Sequence, residues 1–524
     1  MKLALSSKIS KIDAFCAERL GISTEGLMKK SGGAVANFIR KKIPQGKKIA
    51  ILAGKGNNGG DGYAAACDLM SDFDVCVYDI FGVGQKSEAG KHFYVEFLNR
   101  GGRLEIYDAS QNMLSEIKNS DVIVDAIFGT GFEGEVPEEL RSLAISIRES
   151  VCAYKIAVDV PLGISADNGS VGDFAISVDA TVELSMIKPG IISYPARSYV
   201  GEVVYDSLDI PLSVIYENFD FKYEMISEDS VEKMLPRREM NSNKGSFGKL
   251  LMITGSKKYR GAAHLSLEAA LRGGTGYVSF LGDEELVSEL SMKFPEAIYK
   301  KCSEITNLSE AEIEDAVLLS KKSSATLIGS GSGNTTGLLN LTLSLLSAET
   351  DAPLVIDADA INALSEMGEE GRMSLKNAKR PVIITPHPLE FSRLAGCEVA
   401  EVQSHRIEVA EKFAKEYNVL LVLKGAGTVI ADPSRISINT TGSSALAKAG
   451  SGDVLAGLLA ALLSQNIEAH TAACLAVALH AVAGDNLAKE FSSYGVTPSD
   501  LPREIARVMA AIEKAQENNT VHPV

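Results

Sequence analysis

Short β-branched runs alternate with helical stretches in two separate series along this chain, and that rhythm limits the possible fold more than any other feature. From Lys47 the first series reads KKIAILAG, DGYAAACDLM, DVCVYDI, a helix near Lys91 to Asn99, DVIVDAIFG, a helix near Pro137 to Glu149, and AYKIAVDVP. Strand-helix alternation of this kind predicts a parallel sheet with right-handed crossovers. A helical preamble, IDAFCAERLGISTEGLMKKSGGAVANFIRKKI, precedes it. Between about Pro211 and Gly245 the periodicity lapses into mixed charged and turn-forming residues, as at a domain junction. A second series then starts: GKLLMITGS, YVSFLGD, ATLIGSGSG, APLVIDADA, PVIITPHP and VLLVLKGAG are strand-like, with helices between most of them. After a hairpin (VLLVLKGAGTVIAD, ISINTT), helical stretches from Asp453 to about Ser464 and from Thr471 to Phe491 close the chain. The expected fold is therefore α/β throughout, with a Rossmann-like three-layer α/β/α domain over 1–219 and a second α/β/α domain over 220–524.

Length agrees with that division, since 524 residues exceed the roughly 250–300 at which one core stops growing. With 45% apolar and 23% charged residues the chain is not of the disordered class. A net charge of -16 argues against nucleic acid or an anionic membrane as partner. An anionic small molecule would need local devices such as glycine loops and helix N-termini. The seven cysteines are widely spaced and form no C-x-x-C pair, so neither a disulfide framework nor a zinc site is suggested. The N-terminus lacks an apolar signal core, and charges or glycines interrupt the long apolar runs before about 18 residues. A cytoplasmic homo-oligomer is the expectation.

GKGNNGGDG lies between a strand and a helix, and Gly54, Gly56 and Gly59 satisfy G-x-G-x-x-G, with Asp79 at the end of the next strand. That fingerprint makes an NAD-dependent dehydrogenase one reading. Asn57 and Asn58 sit awkwardly in such a loop, and a charge on Asp61 would repel a docked pyrophosphate. Asp125 and Asp159 end strands parallel to the first, so Asn58, Asp61, Asp125 and Asp159 can converge at one crevice. Amide oxygens with carboxylates suit a hard cation or a proton-transfer site. A single Asp in such a place is more often a cap; three beside a glycine loop favour chemistry.

In the second series AGSGDVLAG places a glycine-flanked turn before an apolar helix, with Asp453 in its first turn. Free N-H groups there suit developing negative charge, and Asp453 can take a proton beside them. A plain helix-start role for Asp453 is equally open on local sequence. KGAGTVI from Lys424 suits nucleotide phosphates or is an ordinary hairpin turn. TPHPLEF exposes His387 between two prolines, while DADAIN and GSGSG complete a rim of small and acidic residues. The phosphate loop G-x-x-x-x-G-K-[ST] does not occur, so any phosphoryl chemistry is of another type.

GISTEGLMKKSGGAVANFI, GKGNNGGDG, DAIFGTG and VDVPLGI follow the ordered motifs of the NAD(P)H-hydrate epimerases, and the chain resembles that family over about residues 10 to 215. The resemblance implies substrate contacts at Asn57, Asn58, Gly59, Gly60 and Asp61, at Gly129, Thr130 and Gly131, and at Asp159, the acid-base residue. It also implies potassium held by Asn58 and Asp125. Leu162 replaces the usual Ser of VDVPSG, removing a hydroxyl oxygen from the cation site, and LMKKSG stands for the usual LMENAG. KGSFGKLLMITGS, GSGSG, DADAIN, TPHP, KGAGT and GSGDVLAG resemble, in order, the ADP- or ATP-dependent NAD(P)H-hydrate dehydratases, whose fold is ribokinase-like, from about Asn243 to Ser499. Implied there are Asp453 as the catalytic acid-base group and nucleotide phosphates at Lys424, Gly425, Ala426, Gly427, Thr428 and Gly452, with Mg2+ accompanying ADP or ATP. The hydrated nicotinamide would lie near Ala262, Gly331, His387 and Asp453, with Leu389 where the family often has Gly. The tandem resembles the bifunctional repair enzymes, which act on NADHX and NADPHX. A dehydrogenase, a vitamin-precursor kinase in the second domain, and a binding or scaffold protein are the alternatives.

Overall fold

The computed structural model describes residues 1–82, 86–132 and 135–520. It divides into two compact units, Lys2–Glu224 and Met225–Val524, with Met1 grouped with the second.

The first unit is built on a parallel sheet of seven strands: β1 (Lys48–Ala53), β2 (Asp74–Asp79), β3 (Arg103–Ile106), β4 (Val122–Ala126), β5 (Tyr154–Val158), β6 (Ala180–Leu184) and β7 (Glu202–Asp206), in the order β3-β2-β1-β4-β5-β6-β7. Strand residues alternate between two apolar layers, which is why the runs read as continuously apolar. Ile49, Ile51 and Ala53 pack on one face with the helices Ser6–Arg19, Thr24–Lys42, Asn57–Leu69 and Glu88–Asn99. Ala50 and Leu52 pack on the other with Gln111–Lys118 and Arg141–Glu149. Strand order reverses between β1 and β4, and a crevice opens at the carboxyl ends of strands at such a switch point. Sequence periodicity had not marked β6 and β7: β6 carries Thr181 and Glu183 in its interior, and β7 is a half-exposed edge strand.

The second unit contains β8 (Lys249–Ile253), β9 (Tyr277–Gly282), β10 (Ile298–Lys301), β11 (Ala325–Ile328), β12 (Leu354–Ile356), β13 (Val382–Ile384), β14 (Leu420–Leu423), β15 (Val429–Ala431) and β16 (Ile436–Asn439). Their order is β10-β9-β8-β11-β12-β13-β14-β15-β16. They run parallel as far as β14, and β14, β15 and β16 form an antiparallel meander. The helix Ser451–Ser464 lies against Arg260–Arg272 so closely that a Cβ on Gly457 would stand 2.1 Å from the Ser266 carbonyl oxygen. The apolar stretch expected over Thr471 to Phe491 forms the helix Ala469–Gly495, broken at Ser492, whose backbone is non-helical at φ +65°. It has the length and hydropathy to cross a membrane, yet 72% of its apolar window is buried within the fold.

Candidate active sites

In the first unit a cavity of about 420 Å3 opens at the carboxyl ends of the strands. The glycine loop reaches it because no side chain fits along its path. A Cβ on Gly54 would lie 1.8 Å from the Ile127 carbonyl oxygen, and one on Gly59 would lie 2.0 Å from that of Gly54. This tight turn starts the helix Asn57–Leu69 beside the end of β4. Asn58 is thereby buried, its Nδ2 donating to the Phe128 carbonyl at 2.7 Å and its Oδ1 left without a partner.

Asn57, Asn58, Asp61, Gly129, Thr130, Gly131 and Asp159 all border the cavity. Gly59 and Gly60 do not; Gly60 packs under Met28, where a Cβ would meet the side chain at 2.5 Å. Asp125 also lies outside the cavity lining. Its oxygens accept from the Leu162 and Ile127 backbone N-H groups at 2.7 and 3.2 Å, and burial pushes its carboxyl up to about 7. Leu162 itself sits in the apolar layer with Ile123, Ile127 and Ala157. Lys29 is exposed, and Lys30 donates to the Leu208 carbonyl at 3.1 Å and pairs with Asp209.

Asp159 follows β5 with φ of +68°, a conformation that costs a non-glycine residue free energy and tends to occur where geometry serves function. Its carboxylate is hydrogen-bonded to Nζ of the buried Lys188, which also lies 3.4 Å from Glu183 Oε2 and donates to the Leu184 carbonyl at 3.1 Å. Burial pulls the Lys188 ammonium down, but Asp159 and Glu183 more than offset it, and its affinity for the proton is raised. Burial pushes the Glu183 carboxyl up to about 8 against the pull of Lys188. It likewise pushes Asp13 up to about 6, Lys188 opposing and Asp159 adding to the rise. Asp61 is held well above the ordinary carboxylate range by burial first and then by the Asp159 charge. A raised Asp61 carboxyl weakens the argument that its charge would repel a pyrophosphate. Against a dehydrogenase there is firmer ground: Asp79 is buried in an internal pair with Lys86, Oδ2 to Nζ 2.8 Å, and its Oδ1 accepts from Gly82 N at 3.1 Å. It cannot also read a ribose.

The second unit gathers its carboxylates around one lysine. Lys424 Nζ donates to Asp357 Oδ1 at 3.0 Å and lies 3.9 Å from Glu390 Oε2. Asp357 is buried and also accepts from Ser330 Oγ at 2.8 Å and Thr385 Oγ1 at 2.7 Å. The loop after Lys424 turns through Gly425 at φ +139° and Gly427 at φ +63°, with the Thr428 hydroxyl donating to the Gly425 carbonyl at 3.0 Å. Gly452 leaves room for the lysine: a Cβ there would come within 3.3 Å of Nζ. Asp453 follows in the first turn of Ser451–Ser464, whose N-cap is Gly450 and which has no side-chain cap bond. Burial, then Asp357, push its carboxyl up to about 7, Lys424 opposing. No side-chain cap bond is present at this helix start.

His387 is the N-cap of Pro388–Ala395, its Nδ1 accepting from the Leu389 and Glu390 N-H groups at 3.2 Å each. Burial and then Lys424 lower its affinity for a proton. Leu389 is exposed. Ala262 and Gly331 meet elsewhere on the rim, where a Cβ on Gly331 would lie 2.5 Å from that of Ala262. Sequence reading passed over Lys188, Glu183 and Asp13 in the first unit and did not single out Glu390 in the second. The available signal for two of them was a Glu and a Lys inside the apolar run ATVELSMIKPGII.

Residues 24–190 match the family model described as YjeF-related protein N-terminus, and 250–507 match that described as NAD(P)H-hydrate dehydratase. A bifunctional NAD(P)H-hydrate repair enzyme Nnr from Thermofilum pendens is 32% identical, the match covering 99% of this chain and 98% of the relative. The protein of the same description from Escherichia coli is 32% identical over 94% of this chain and 91% of its own. A crystal structure of an ADP/ATP-dependent NAD(P)H-hydrate dehydratase from Bacillus subtilis is 30% identical, covers 55% of this chain and 99% of its own, and has a TM-score of 0.49.

Proposed function

The chain belongs to the family of bifunctional NAD(P)H-hydrate repair enzymes, and we propose that its two sites divide the repair of hydrated NADH and NADPH between them. The first interconverts the R and S epimers at carbon 6 of the hydrated ring, with Asp159 as acid-base group. The second dehydrates the S epimer at the expense of ADP or ATP. There Asp453 takes the proton of the 6-hydroxyl as its oxygen attacks the terminal phosphorus, and the nucleotide departs one phosphate shorter. The ring nitrogen then expels the new phosphate ester, and loss of a proton from carbon 5 restores the double bond. Lys424 and the Gly425–Thr428 loop face the nucleotide phosphates, with Gly452 giving the lysine its place.

Asn57, Asn58, Asp61 and the Gly129–Gly131 segment would contact the substrate of the first site, and Ala262, Gly331 and His387 that of the second. The buried, unpartnered Asn58 Oδ1 and the Asp125 carboxylate fit a potassium ion, whose fixed charge would hold the loop. Magnesium would arrive on the nucleotide's phosphates. A cytoplasmic setting is part of the same proposal.

The observation that carries this reading is the same in both units: a carboxylate held beside a lysine, Asp159 on Lys188 and Asp453 in the field of Lys424. Chemically prepared NADHX, incubated with the protein and either ADP or ATP, should yield NADH, followed by its near-ultraviolet absorbance. No NADH with either nucleotide would overturn the dehydratase reading.

A further inference from the structure

The cavity of the first unit holds Asp13, Asp61 and Asp159 around the buried ammonium of Lys188, with Glu183 behind it and the exposed Lys55 also on the lining. Lys188 is committed: it is hydrogen-bonded to Asp159 and lies 3.4 Å from Glu183. Asp61 meets the Ser31 hydroxyl, and among the described residues no Lys or Arg forms an ion pair with it. Three carboxylates in one cavity around one buried cation, with Lys55 exposed at its lining, disfavour full ionisation of all three, because each added negative charge is repelled by those present.

Resting on the epimerase reading of this cavity, we infer that Asp61 is the proton donor of the epimerisation and Asp159 its base, with Lys188 the positioning residue that holds Asp159. Asp159 removes the proton of the 6-hydroxyl, and the freed O-H pair becomes the second bond of a carbon 6 aldehyde. The bond from carbon 6 to the ring nitrogen breaks with its electrons going to nitrogen, and Asp61 delivers its proton there. After rotation about the bond between carbons 5 and 6, the nitrogen attacks the other face, Asp61 recovers its proton, and Asp159 returns one to oxygen. Nothing is oxidised or reduced, and both carboxyl groups end each turnover as they began. Ring opening keeps the original oxygen on carbon 6 throughout, whereas loss of hydroxide exposes carbon 6 to solvent water.

The groups that act on Asp61 are Asp159, Asp13 and Lys188, with the Ser31 hydroxyl. Burial and the Asp159 charge raise its carboxyl well above the ordinary range, so its donor function is present below that raised pKa and is lost as pH climbs through it. The test follows the re-equilibration of separated R- and S-NADHX by the full-length chain without nucleotide, across neutral and alkaline pH. The wild-type rate should fall on the alkaline side. Asp61→Asn should lower kcat by at least about 100-fold, with KM moved much less, and should abolish the alkaline fall. Lys188→Met should lower kcat with KM moved much less, since Asp159 loses the hydrogen bond that positions it. In water enriched in heavy oxygen, each epimerisation should leave the original oxygen on carbon 6.

A flat alkaline profile in the wild type would overturn the inference whether or not any variant folds. So would an Asp61→Asn chain of near-normal rate, or label entering once per turnover. A wild-type chain that does not re-equilibrate the epimers would instead remove the epimerase reading itself.

Discussion

Asp453 lies in the first turn of its helix without capping it, and burial together with the Asp357 charge pushes its carboxyl up to about 7. The ionised form needed to accept a proton therefore appears above that pH and disappears below it. For dehydration of S-NADHX, kcat/KM should rise with pH through about 7; a profile without an acidic limb there would contradict the assignment. Asp453→Asn should cut dehydration about 100- to 10,000-fold. Its melting temperature should hardly move, because no cap is lost. Asp159→Ala should slow R-to-S conversion at least about 100-fold while S-epimer dehydration stays near wild type. Normal epimerisation by that variant would reduce Asp159 to a strained turn residue.

At the scale of elements, the sites depend on how closely strands, turns and helices approach. Leu162 turns its side chain into an apolar layer while its N-H fixes Asp125 at 2.7 Å. Restoring the hydroxyl with Leu162→Ser should therefore lower stability by about 2–5 kcal/mol, the range for emptying a buried leucine site, whatever it does to potassium affinity. Denaturant midpoints measured with and without potassium would show this; an unchanged midpoint would mean that the side chain is not part of the core. Gly59→Ala would drive a methyl to 2.0 Å from the Gly54 carbonyl oxygen, so the loop must shift. A loss of about 1–3 kcal/mol is expected, with epimerase activity falling before dehydratase activity as the temperature is raised.

For the whole molecule, two compact units with one site each predict that the halves of the repair are separable. Given an epimer mixture and ADP or ATP, Asp159→Ala should convert the S fraction promptly and the rest only as fast as epimers interconvert unaided. Asp453→Asn alone should produce almost no NADH. Mixing the two proteins should restore repair of the whole mixture, because the S epimer released by one can be taken up by the other. Failure of the mixture, with each variant retaining its own activity, would show that the two steps must occur on one chain.

Two α/β halves were legible in the sequence because apolar periodicity and turn residues are local properties, and they mark strands, helices and the lapse between the series. Asp159 and Asp453 could be singled out for the same reason, since each sits in a short motif at the end of a strand or the start of a helix. Strands β6 and β7 escaped that reading, the apolar pattern being broken by Glu183 in the buried β6 and diluted by exposure in the edge strand β7. Only the tertiary structure decided that Lys188 holds Asp159, that Asp13 borders the same cavity, that Asp79 is consumed by Lys86, and that Asp125 turns to the Leu162 N-H instead of lining the cavity. These partners are far apart in sequence or lie in loops, and meet through strand order and helix packing. The charge state of each carboxyl follows from its burial and neighbours, which no residue carries in its own identity.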